Sequence, residues 1–190
     1  MSTTNLFVEL VVIGVGAMVW LILLTSAIFD FQWLQVKSEI FLALTVPLLS
    51  LIYLLGIILD RIADLSFEKI WSKKIRKSSY GGTEQNFYDD RRIVLSQQNL
   101  ITERLLYAQS RARICRGWSL NALLIAFTFI VLMFSQFRSN SNFWGILIYG
   151  SVSLLTLSVV CWIAWRMLKY SDYIKTKEYA EFLRSKSLVD

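Results

Sequence analysis

Four long apolar runs constrain this chain more than anything else in it: Leu6 to Phe29, Ile40 to Leu59, Ser119 to Phe137 and Phe143 to Trp165. At about 1.5 Å per helical residue, each is long enough to cross a hydrocarbon core of roughly 30 Å. All but the first carry no charged residue. With 55% hydrophobic residues in 190 and a mean hydropathy of +0.50, the chain is too apolar for a soluble domain of its length. The reading is an all-α integral membrane protein with transmembrane helices at 6–29, 40–59, 118–137 and 143–165. A cleaved leader is a poor account of the first run. Residues 1–5 contain no Lys or Arg, Glu9 stands where a positive segment belongs, and the apolar stretch outlasts a typical leader core.

The net charge of +6 does not point to nucleic acid, because its placement has another cause. Twelve of the twenty Lys and Arg lie between Arg61 and Arg116, six follow the fourth run, and only Lys37 and Arg138 lie elsewhere. Basic residues beside apolar spans mark the cytoplasmic side, since they resist translocation and favour the anionic inner leaflet. Both termini and the 60–117 segment are therefore expected in the cytoplasm of a cell inner or plasma membrane, with residues 30–39 and 138–142 as external turns. Trp33 and Trp144 at the external turns, and Trp118, Trp162, Trp165 and Tyr170 near internal ends, agree with headgroup-level anchoring. Pro47, the only proline, is expected to bend the second span.

The 60–117 segment reads as a helical hairpin with its turn near 78–88, marked by Ser78-Ser79-Tyr80-Gly81-Gly82. Its descending arm continues the second span and its ascending arm runs into the third. The tail from residue 166 extends the fourth as a cytoplasmic helix, so three spans continue into a cytoplasmic helical bundle. On the ascending arm Ile93, Leu100, Tyr107 and Ile114 recur every seven residues, and the series continues as Asn121, Thr128 and Ser135. A face apolar in water and polar in lipid suits a helix partner, or an ion pathway. Glu9 is the one ionisable residue well inside a span and so a functional candidate; it snorkels to the headgroups or is protonated, or, where Gly16 on the same face lets a neighbouring helix approach, it forms a polar contact with Asn121.

Asp60, Asp64 and Glu68 stand four apart, an acidic strip where the second span leaves the membrane. Arg104, Arg111, Arg113 and Arg116 on the opposing arm are its expected partners; the strip as a cation mouth or divalent-ion holder is the weaker reading. Trp71 with Lys73, Lys74, Arg76 and Lys77 reads as a lipid-headgroup cluster. Asp89-Asp90 is accounted for by the dipole of a helix start. No phosphate-cradling glycine loop, CxxC pair, HExxH or Gly-x-Ser-x-Gly elbow occurs, and the chain has no histidine, so no enzyme activity and no cofactor are expected. Two cysteines, Cys115 and Cys161, make no disulfide framework.

From about Arg91 to Leu188 the order of a basic helix, two spans with a short turn and a charged helix resembles, in plan, the two-span effector domains of bacterial conflict systems. The resemblance carries no diagnostic residue and leaves out the first two spans. It implies oligomerisation and membrane permeabilisation on a signal. The leading expectation is thus a self-associating channel, pore or membrane effector controlled through its cytoplasmic helices. The alternative is a scaffold or accessory subunit docking a cytoplasmic partner protein, and an enzyme acting on lipid comes third. Expected partners are the lipid bilayer, a second copy or a cytoplasmic protein, and not nucleic acid.

Overall fold

Asp30 ends the first helix by taking a left-handed backbone conformation, φ 67°, while its Oδ1 accepts a 2.7 Å hydrogen bond from the Phe31 amide. Asp tolerates this region because its short polar side chain bonds locally. A second stop lies at residues 137–142, where the Asn140 amide donates to the Phe137 carbonyl and Asn140 Oδ1 accepts from the Asn142 amide. Between and beyond these points, the computed structural model describes residues 3–31, 38–67, 71–80, 84–96 and 100–187. They form an all-α bundle of six helices: α1 Thr3–Phe29, α2 Ser38–Phe67, α3 Lys73–Tyr80, α4 Glu84–Ser96, α5 Leu100–Gln136 and α6 Phe143–Ser187.

Four of these, α1, α2, α5 and α6, are long and apolar enough to cross a membrane. The helix α1 sits between α2 and α5, and α6 lies along α5. Glycine sets the α1–α2 distance. A Cβ added at Gly14 would land on the Ile52 carbonyl, and one at Gly56 on the Leu10 carbonyl, so the two backbones touch. Outward faces of α2 and α6 stay apolar, with Leu54, Ile58, Ile62 and Leu65 on one and Val152, Val159, Ile163 and Met167 on the other exposed. α2 continues through Pro47.

The α5–α6 contact follows a heptad other than the expected one. Leu105, Ala112, Ser119, Ala126 and Met133 are all buried, whereas Tyr107 is 59% exposed. The small residues at 112, 119 and 126 let the helices approach closely. Ser119 Oγ donates to the Ser158 carbonyl at 3.1 Å and Ser158 Oγ returns a bond to the Ser119 carbonyl at 2.8 Å.

Between α2 and α5 the described residues form two further helices, α3 and α4. Past Phe67 of α2, the next described residues are a π-helical turn at Trp71 and Ser72 that leads into α3. Phe67 packs edge-on against Trp165, with ring centroids 4.9 Å apart, and Trp71 against Trp162 at 5.8 Å, which anchors the corner on α6. The helix α4 packs chiefly on α6, with Val94 in one cluster with Leu105 and Ala180. The glycines of the expected turn, and Trp33, lie outside the described residues.

Candidate functional site

Two basic residues of α5, three apart and so on neighbouring faces, meet carboxylates from two other helices. Arg113 Nη1 lies 2.8 Å from Glu9 Oε2 on α1, and Ser110 Oγ donates to Glu9 Oε1. Arg113 Nε stands 3.9 Å from Asp60 Oδ2. Arg116 Nη2 bonds Asp60 Oδ1 at 2.7 Å, and Arg116 Nη1 pairs with Asp64. Asp60 and Asp64 face the same guanidinium because four residues return a helix to one face. The result is a lattice tying α1 and α2 to α5. Its side chains are mostly shielded, Glu9 at 4% and Arg116 at 8% exposed, with Asp64 the open end at 39%.

The other expected basic partners lie elsewhere. Arg111 stacks over Tyr107 at 4.7 Å, on the exposed side of α5, and reaches none of these acids. For Arg104 only its place in α5 is described, and Glu68 lies outside the described residues.

In the apolar half, Asn121 is fully buried; its Nδ2 donates to the Ile13 carbonyl at 2.8 Å and fills the gap left by Gly16. Thr128 is buried but bonds back to the Leu124 carbonyl at 2.9 Å, and Ser135, exposed, bonds back to Leu132. Of the polar stripe, Asn121 alone bonds to another helix through a hydrogen bond of its side chain. Glu9 and Asn121 do not bond each other: Glu9 is taken by Ser110 and Arg113, Asn121 by Ile13.

Beside the lattice lies a polar cavity of about 240 Å³ at the junction of α2, α3, α4, α5 and α6. Arg76, Arg91, Arg113, Arg116 and Lys169 line it, with Asp64 and Asp172 the carboxylates. Arg76, expected at lipid headgroups, points inward instead: it is buried, 5.8 Å and 5.5 Å from the ring centres of Phe87 and Tyr88, and Nη1 donates to Tyr88 Oη at 3.3 Å. The aromatic pocket offers the flat guanidinium more than the exposed face does. Lys73, Lys74 and Lys77 stay exposed. Trp71 and Lys74 line a second, larger cavity of about 670 Å³ with Trp162, Arg166 and Tyr170 of α6.

Burial raises the Asp172 carboxyl above its ordinary 3.8, although Lys169, Arg91 and Lys175 pull the other way. The folded chain therefore holds this proton more tightly than the unfolded chain. The burial cost is absent below pH 3.8, and stability falls as pH climbs from there through the raised value. Asp172→Asn is expected to raise the melting temperature at neutral pH and to leave it unchanged below pH 3.8, measured by thermal unfolding in detergent. A lower melting temperature at neutral pH would mean that the neighbouring cations outweigh burial.

Sequence reasoning missed the Ser119–Ser158 pair and the inward Arg76. Nothing marks Ser158 among the serines and threonines of α6. The signal for Arg76 was its spacing, one turn beyond Ser72 and beside Ile75, both buried. Among the described residues no group of three His, Cys, Asp or Glu is placed to hold a metal ion. No family model matches the chain, and no curated protein and no solved structure matches it either.

Proposed function

We propose that this chain is a non-enzymatic, four-span membrane adaptor: α3, α4 and both termini lie in the cytoplasm, and the polar bundle relays a cytoplasmic signal or partner contact to the membrane helices. The observation that carries this reading is the Arg113–Arg116 lattice. It joins α1, α2 and α5 at the level where the apolar helices give way to the charged bundle. A displacement of α5 in the bundle must move carboxylates on two membrane helices. Asn121 and Thr128 support the adaptor over a pore through one chain, because both are buried and their side chains bond within the bundle. The unpartnered apolar ridges of α2 and α6 favour a second reading, a self-associated pore or effector, since they suit another copy as well as they suit lipid.

The topology is tested by cysteine labelling in a Cys115→Ser, Cys161→Ser background with a membrane-impermeant maleimide. Ser139→Cys is expected to label in intact cells and Ser185→Cys only after permeabilisation; the reverse pattern overturns the orientation. The adaptor is separated from the pore by planar-bilayer recording of the reconstituted chain. Silence is expected. A conductance abolished by Asn121→Leu with Thr128→Val would establish the pore in its place.

A further inference from the structure

The cavity of about 670 Å³ lies between α6 and one face of the 71–78 segment, which Trp71, Lys74 and Ser78 share through spacings of three and four. Its lining changes character along α6. Trp162 and Ile163 fall inside the fourth apolar run, which ends at Trp165, whereas Arg166 and Tyr170 fall past its end. On the opposite wall Trp71 packs edge-on against Trp162, with ring centroids 5.8 Å apart, and Lys74 follows about one helical turn later. The cavity thus has an aromatic, apolar end within the run and a cationic end beyond it. No carboxylate lines it among the described residues. Ile163 and Met167, 44% and 68% exposed, leave apolar surface uncovered along its α6 wall.

The geometry points to an anionic phospholipid in this cavity, its phosphate between Lys74 and Arg166 and the upper part of its acyl chains along Trp71, Trp162 and Ile163. Charge complementarity and the change of lining at the end of the run select this occupant, since a phospholipid joins a phosphate to apolar chains in the same order. A choline headgroup suits the site less. Choline is held by its ammonium over an aromatic face, but the Trp162 ring already carries the Arg166 guanidinium, whose Cζ lies 5.9 Å from the ring centre. The volume falls within the roughly 300–1,000 Å³ of small-molecule sites, room for a headgroup and the first carbons of its chains, with the rest lying along the exposed face of α6. This site rests on the membrane placement proposed above. Its consequence is that the corner at Trp71 is held to α6 more firmly in a leaflet rich in anionic lipid, because a ligand that bridges two elements stabilises their contact.

The full chain in uncharged detergent is titrated with phosphatidylglycerol whose acyl chains carry bromine, a quencher of nearby indoles, and in a second series with brominated phosphatidylcholine. Saturable quenching of tryptophan fluorescence is expected at an about ten- to thirtyfold lower mole fraction of phosphatidylglycerol, the order expected from two cations beside a phosphate. Trp71→Phe should lower its amplitude. Lys74→Gln with Arg166→Gln, both exposed side chains, should abolish the preference. Lys73→Gln with Lys77→Gln removes the same charge from exposed positions outside the cavity and should leave most of it. If circular dichroism shows the first pair misfolded, Lys74→Gln alone must still narrow the preference. Equal midpoints for the two lipids, an amplitude unchanged in Trp71→Phe, or equal loss of preference in both double variants overturns the site. Micelles impose no orientation, so reversed cysteine labelling would overturn the topology and leave a phosphatidylglycerol preference standing, whereas equal midpoints with the expected labelling overturn the site alone.

Discussion

Arg116→Ala is expected to destabilise the chain by about 3 kcal/mol, the low end of the range for stripping one partner from a buried ion pair. The change leaves Asp60, 16% exposed, without its closest cation and removes the partner of Asp64. Asp64, at 39%, is wet enough that water takes over much of its share, which is why the low end is the appropriate one. Unfolding in a graded mixture of mild and denaturing detergents would measure the loss. Adding Asp60→Asn should recover part of it, because the orphaned charge is then gone. If the double variant is as unstable as the sum of the singles, the two side chains are not coupled.

Gly56→Val is expected to cost about as much, at the upper end of the ~1–3 kcal/mol typical of overpacking. The added Cβ would meet the Leu10 carbonyl and the Gly14 amide, both backbone atoms in helices that cannot step aside. Gly14→Val strikes Ile52 across the same crossing. Once either variant has separated α1 from α2, the other should add little. The same detergent titration checks this, and two fully additive losses would show that the helices do not meet where these glycines lie.

The four apolar helices are legible in sequence because hydrophobicity belongs to each window of residues and requires no knowledge of neighbours. Asp60 and Asp64 share a face for an equally local reason, their spacing of four. Which arginine they would meet depends on how two helices are turned towards each other, which no single window of sequence fixes. The series from Ile93 through Leu100 and Tyr107 runs from α4 into α5, and at its third member the exposed side of α5 has already been reached, with Tyr107 59% exposed and Leu105 buried. The seam that packs on α6, Leu105 to Met133, is rich in alanine and serine and gives a fainter hydrophobic signal than Ile, Leu and Tyr. Close approach selects small side chains, and small side chains are the least conspicuous in a sequence. Arg76 was misplaced for a related reason: a cation in a run of cations reads as exposed until the aromatic rings that receive it, Phe87 and Tyr88, are brought near by folding.

The reciprocal serine bonds between α5 and α6 have a mechanical consequence. They clasp two helices of 37 and 45 residues partway along, with clusters of side chains gripping them on either side. A pair held at several levels cannot slide, but it can pivot as a single lever. From Ser158 to Ser187 the arm of α6 runs about 43 Å at ~1.5 Å per residue, so a tilt of roughly 5° sweeps its tip through about 4 Å. Small rotations among the apolar helices would thus emerge as displacements of nearly a side chain's length at the far end of the charged bundle, and a push applied there would return to the apolar half with greater force and shorter travel.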